Sequence, residues 1–136
     1  MAIPCATQNK STPQDQKTLL KNRCIAVAEG ANMPTMKDGI DVFKDYKIPF
    51  APSKAANAGG GVAVSGLEMS QNSARMSWSE QELQQPLKQP LKQIMKDTHD
   101  KCVHYGKEQD YINHSRGANL AGFIKVVDAM LAYGVI

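Results

Sequence analysis

Cys24-Ile25-Ala26-Val27-Ala28-Glu29-Gly30-Ala31-Asn32 runs from a short apolar stretch straight into a polar, small-residue turn. An unbroken apolar run of this length, bounded by a turn, reads as a strand buried on both faces. Upstream, Met1-Ala2-Ile3-Pro4-Cys5-Ala6 reads as the short tail of another strand. Downstream, Ile48-Pro49-Phe50-Ala51 reads as a third. Each interval has room for a helix. Thr12 stands before Pro13, and a hydroxyl ahead of a proline is a good helix start, because its oxygen accepts from an unpaired backbone N–H. That helix passes through Leu19 and Leu20 and is expected to end near Asn22. Thr35 is expected to cap a second helix with apolar positions Met36, Ile40, Phe43 and Tyr46.

Strand–helix–strand–helix–strand patterns make parallel sheets joined by right-handed crossovers. The expected class is therefore α/β. Its three short strands would form the second half of a Rossmann-like sheet, followed by a C-terminal helical segment. The division falls at residues 1–78, a partial nucleotide-binding domain, and 79–136, the helices. Ligands of such sheets sit beyond the carboxyl ends of the strands. Here those ends are Cys5 to Asn9, Glu29 to Asn32 and Ala51 to Lys54, all polar or small, and they define one candidate cleft.

The second half reads as helices. Val62 to Trp78 is expected to be one of them, with Val62, Ser65 and Met69 on one face. Ser79-Glu80-Gln81-Glu82 is a capping box, opening a helix with Leu83, Leu87, Leu91, Ile94 and Met95 at helical spacing. Pro86 and Pro90 lie inside it, each costing roughly 3 kcal/mol in a helix interior. They belong to a tandem repeat, Gln85-Pro86-Leu87-Lys88 and Gln89-Pro90-Leu91-Lys92, whose four-residue step keeps the leucines nearly in phase. Gly106 to Gly117 reads as a polar loop. Leu120, Phe123, Ile124, Val127, Met130 and Leu131 then form an apolar stripe of helical period, and Gly134 suits its end.

At 136 residues, 42% hydrophobic and 21% charged, the chain is sized for one core and is unlike a disordered tail. A net charge of +3 without a run of lysines and arginines argues against nucleic acid as a partner. Leu120 to Ile136 carries Lys125 and Asp128 midway, so no membrane span is expected. Three cysteines without a CxxC pair fit free thiols in a reducing, cytoplasmic setting.

Most motifs fail on inspection. Gly59-Gly60-Gly61-Val62-Ala63-Val64 misses the last position of the dinucleotide fingerprint. Gly61 and Gly66 have Walker spacing, but Leu67-Glu68 follows where Lys-Ser/Thr belongs. His99 and Cys102 share a helix face while His104 points away, and His114 is expected alone in a loop, so no metal site is assigned. Cys5 has no histidine placed to activate it. No catalytic residue is assigned.

Several long blocks do carry a resemblance. Ile3-Pro4-Cys5-Ala6-Thr7-Gln8-Asn9, Ala28-Glu29-Gly30-Ala31-Asn32-Met33-Pro34-Thr35, Lys54-Ala55-Ala56-Asn57-Ala58-Gly59-Gly60 and Ser65-Gly66-Leu67-Glu68-Met69-Ser70-Gln71-Asn72-Ser73 resemble, in order, the C-terminal part of the small hexameric glutamate dehydrogenases. Gly117-Ala118-Asn119-Leu120-Ala121-Gly122-Phe123 and Asp128-Ala129-Met130-Leu131 fit as well. The resemblance implies an oxidoreductase that interconverts L-glutamate with 2-oxoglutarate and ammonium, using NADP, with NAD as the alternative. It implies a homo-oligomer, hexameric in the family. It also implies that the catalytic lysines and aspartate, and the pyrophosphate-binding glycines, belong to an upstream part. Carried over by motif, Ser65 and Val62 would bind the substrate. Asn57 and Asn32 would contact the nicotinamide and ribose ends of the cofactor, with Ala6 and Thr7 close to the nicotinamide.

Two departures bear on this. The family pattern has two glycines before the valine where this chain has three, Gly59 to Gly61. The family spacing after Trp78 fits with one copy of the tetrapeptide repeat removed. The competing expectation is a non-catalytic fragment or relic of such a gene, acting at most as a nucleotide-binding or interaction module. In either case a sheet lacking half its strands exposes an edge, which predicts self-association.

Overall fold

The structure is a computed structural model that describes residues 1–134, apart from the side chains of residues 62, 63 and 85. The chain opens with an extended segment and then forms α1 (Pro13–Lys21), β1 (Val27–Ala28), α2 (Lys37–Asp45) and β2 (Phe50–Ala51). A single turn, α3 (Ser53–Ala56), leads to a π-helical turn at Gly60–Val64 and α4 (Ser65–Ala74). Two long helices, α5 (Glu80–Gly106) and α6 (His114–Tyr133), complete it.

The architecture is α/β with a parallel sheet, but among the described residues the sheet has two strands rather than the expected three. β1 and β2 pair Val27 with Phe50 and Ala28 with Ala51. The N-terminal segment runs alongside β1 and makes one isolated parallel bridge, Ala2 to Val27. Its ladder starts well. Ala2 N–H donates to Ala26 O at 3.0 Å, and Ala2 O accepts from Ala28 N–H at 3.1 Å. It stops because Pro4 has no N–H to donate, although the Pro4 carbonyl still accepts from Gly30 N–H at 3.0 Å. Prolines at 49 and 52 bracket β2 in the same way.

The first helix starts and stops where the residues say. Thr12 Oγ1 accepts from Asp15 N–H, the Asp15 carboxylate accepts from Thr12 N–H, and Asn22 is the C-cap. The second start is displaced. Met36, not Thr35, occupies the N-cap, and no side chain caps the helix. Thr35 is drawn into the interior instead, only 3% exposed. α1 and α2 pack on each other and on the sheet, closing a small core of Val27, Phe43 and Phe50. The Phe43 and Phe50 rings stack with centroids 5.8 Å apart.

The helix expected over Val62 to Trp78 is shorter and irregular. Its first turn is π-helical, and it ends at Ala74, with Arg75 in the left-handed region at φ 53°. The Ser79 capping box forms as read, with Glu82. α5 then continues through Pro86 and Pro90 to Gly106. The polar loop expected between Gly106 and Gly117 is correspondingly shorter, because Asn113 caps α6 by accepting from Arg116 N–H at 3.0 Å. α5 and α6 lie antiparallel, and α6 also packs on β2. The apolar stripe of α6 is only partly covered. Leu120, Ile124 and Val127 are half-buried, while Phe123, Met130 and Leu131 face solvent.

Candidate functional site

β1 and β2 deliver the chain, at their carboxyl ends, to a cleft of about 610 Å³ lined by Asn9, Glu29, Thr35, Ser53, Lys54 and Asn119, among others. This is where a parallel sheet places its ligands. All three segments picked out from the sequence contribute to it: Asn9 from the first, Glu29 from the second, Ser53 and Lys54 from the third.

Glu29 builds the site. It follows β1 directly and is only 2% exposed. Its Oε1 accepts from Thr35 N–H at 3.2 Å, and its Oε2 accepts from Ser53 N–H at 2.9 Å. Its own N–H donates to Ala51 O at 3.0 Å. One side chain therefore joins the end of β1, the turn at 31–35 and the first amide of α3, an N–H with no partner inside its own helix. A buried carboxylate is tolerated only when hydrogen bonds replace its water, and here both oxygens are served.

The N-terminal segment is laced to the same turn. Asn9 N–H donates to Met33 O and Ser11 N–H to Pro34 O, both at 2.9 Å. Opposite, Lys54 Nζ donates to Asn119 Oδ1, tying the third loop to α6. One group in the cleft wall remains unserved: the buried Thr35 Oγ1 has no hydrogen-bond partner among the described residues.

The six residues carried over by resemblance surround this cleft in sequence, and none of the five whose side chains are described lines it. Ala6, Thr7 and Asn32 are exposed on the loops beside it. Asn57 is the C-cap of α3, half-buried. A Cβ built on Gly60 would lie 2.6 Å from Asn57 Oδ1, so the amide oxygen occupies the space that only a glycine leaves. Ser65 is the exposed first residue of α4. The Val62 side chain lies outside the described residues. A shared face for Val62 and Ser65 requires α-helical spacing, whereas the Val62 backbone sits in the π-helical turn.

Sequence reasoning placed Glu29 and Lys54 on the cleft segments but missed the organising role of the Glu29 side chain and the contributions of Thr35 and Asn119. An acidic residue directly after an apolar strand was the available signal for Glu29. The reading of His114 also changes. It is the first residue of α6, not a loop residue, and its ring stacks on His99 with centroids 5.8 Å apart. Burial first, and then the neighbouring His99, hold its pKa below the usual imidazole range. Among the described residues no three His, Cys, Asp or Glu side chains converge as metal ligands, and no helix is long and apolar enough to cross a membrane.

Comparison with known proteins agrees over the whole chain. Residues 1–134 match the family described as Glutamate/Leucine/Phenylalanine/Valine dehydrogenase. The chain is 53% identical over 137 residues to a glutamate dehydrogenase of Bacteroides thetaiotaomicron, covering 100% of this chain and 30% of that protein. It is 52% identical over 136 residues to the NADP-specific glutamate dehydrogenase of Salmonella typhimurium, covering 100% of this chain and 29% of that one. An NAD-specific enzyme of Bacteroides fragilis is 48% identical, covering 100% of this chain and 30% of its own length. Among solved structures, Plasmodium falciparum glutamate dehydrogenase superposes with a TM-score of 0.77 at 43% identity, covering 98% of this chain and 28% of that one. The chain thus spans about 30% of the length of the curated relatives it matches.

Proposed function

The chain belongs to the glutamate/leucine/phenylalanine/valine dehydrogenase family, and on that premise we propose that it serves, as the C-terminal portion of a glutamate dehydrogenase, in the interconversion of L-glutamate with 2-oxoglutarate and ammonium. The observation that supports this is about half identity over the full length of this chain to NADP-specific and NAD-specific glutamate dehydrogenases alike.

A nicotinamide cofactor supplies hydride transfer in such a reaction. The residues present fit one end of it. The cleft beyond the strand ends is walled by Asn9, Ser53 and Asn119, and by an unpartnered Thr35 hydroxyl suited to a polar, ribose-like edge. The residues do not supply a glycine phosphate loop, so the pyrophosphate end belongs to another part of the protein. In this reading residues 1–78 are half of a Rossmann-like domain and residues 79–136 are helices that brace it. Glu29 holds the loops that carry Asn32 and Asn57 at a set separation, and those amides meet the ribose and nicotinamide. Ala6 and Thr7 keep the first loop thin beside the ring. Ser65 and Val62 receive the substrate's side-chain carboxylate at the start of α4. NADP is the assigned cofactor, the assembly a homo-oligomer of hexameric type, and the compartment cytoplasmic.

The test is a chimera. The corresponding segment of the Bacteroides thetaiotaomicron enzyme is replaced by this chain, and NADPH oxidation is followed with 2-oxoglutarate and ammonium. Activity dependent on both co-substrates supports the reading. A folded chimera without activity refutes it and favours the non-catalytic alternative.

A further inference from the structure

At the opposite end of the sheet from the candidate site, a second cleft of about 630 Å³ opens between the carboxyl ends of α1 and α2. Every charged residue lining it is basic: Lys17, Lys21, Arg23 and Lys47. Lys47 is paired with Asp110. Among the described residues, Lys17, Lys21 and Arg23 have no carboxylate within salt-bridge distance. Between these cations the floor is apolar and open. Ile25 is 72% exposed and Tyr46 67% exposed.

The backbone adds a second observation. Arg23 and Lys47 occupy the same place in two equivalent turns, just past the C-caps of α1 and α2. Both have positive φ, 58° and 54°. That position favours glycine, because a Cβ is penalised there. The chain nevertheless places a cation at each, and both reach the cleft. Lys21 also complements the carbonyl end of α1, but Arg23 lies past the helix end. Local rules are broken most often where function asks for it.

We propose that this cleft binds an acidic peptide segment carrying a large apolar side chain, with carboxylates on Lys17, Lys21 and Arg23 and the apolar group on Ile25 and Tyr46. Charge complementarity selects the sign of the partner. An aliphatic floor with a single aromatic ring favours a peptide over nucleic acid, whose bases ask for stacking platforms. The proposal is independent of the dehydrogenase reading.

The experiment measures fluorescence anisotropy of the purified chain with a short labelled peptide of alternating glutamate and leucine. The glutamine counterpart and a labelled single-stranded oligonucleotide run alongside. The glutamate peptide should bind at least about tenfold more tightly than the glutamine one, and weaken as salt rises. The double variant Lys21→Gln/Arg23→Gly should lose about tenfold in affinity. Its melting temperature should not fall, because glycine relieves the positive φ at position 23 and offsets the lost charge of Lys21 at the carbonyl end of α1. Equal binding of the two peptides, tighter binding of the oligonucleotide, or an unaffected double variant would each overturn the proposal. So would concentration-dependent self-association abolished by the same variant, since the occupant would then be a second copy.

Discussion

Gly117 presses its α-carbon against the main chain of Cys102, so closely that a Cβ added to it would lie 2.1 Å from the Cys102 carbonyl oxygen. The neighbouring atom is backbone, so it cannot swing aside. One turn away Gly106 meets Asn113 O in the same manner, at 2.3 Å. The α5–α6 pair is therefore held at backbone contact at its closed end.

Gly117→Ala should destabilise the chain by about 1–3 kcal/mol, the usual cost of forcing a methyl into a filled contact. Gly122→Ala is the matched control, since nothing lies within 4 Å of its added Cβ. There alanine should stabilise the helix by about 0.5–1 kcal/mol. Urea unfolding of both variants decides the point, and equal midpoints would contradict the close packing.

Glu29→Gln keeps the volume but turns one acceptor into an NH2 group facing an N–H donor. The expected loss is about 1–3 kcal/mol, the cost of a buried polar group left unserved. Exposed Glu68 offers the comparison, and Glu68→Gln should be nearly silent. Amide hydrogen exchange at Thr35 and Ser53 should accelerate in the first variant only.

The pH dependence follows from His114. Its folded pKa lies below the ordinary imidazole value of 6.5, so the unfolded chain binds the proton more readily. Stability is then undiminished above about pH 6.5 and is lost as pH falls toward the folded value, below which the loss levels off. Melting temperatures from pH 7.5 to 5 should show this slope, and His99→Gln should reduce it in part, leaving the larger share that burial causes. The carboxylates of Asp15, Glu82 and Asp110, all lowered by their hydrogen-bonded partners, act in a separate window at more acid pH. A slope confined to that acid window would exclude the histidine pair as its source.

In the active chimera, Ser65→Ala should raise KM for 2-oxoglutarate roughly tenfold or more, as expected for a hydrogen bond to a charged group. KM for NADPH should stay put. Asn57→Ala should do the reverse. Both variants shifting the same constant would remove the assignment of separate roles.

Much of this was legible because it is local. The Ser79–Glu82 capping box joins residues three apart, and the sequence shows both partners at once, whereas Thr12 was legible from Pro13 and its reciprocal bond to Asp15 comes from the structure. What was lost depends on distance along the chain. Glu29 is bonded to partners six and 24 residues away, and the His99–His114 stack forms only when α5 and α6 fold back. Thr35 carried a sound capping signal, yet the Glu29 carboxylate took its N–H and drew it inside. The first strand failed on a single missing donor at Pro4. The exposed half of the α6 stripe shows the limit of periodicity, which identifies a face without saying what covers it.

The π-helical turn at Gly60–Val64 closes its hydrogen-bonded rings around one more residue than an α-turn does. A residue added within such a turn widens it rather than twisting the helix beyond. Numerical distance across the turn is therefore a poor ruler for comparing this chain with its relatives, and correspondence is better anchored from Ser65 onward than counted forward from Asn57.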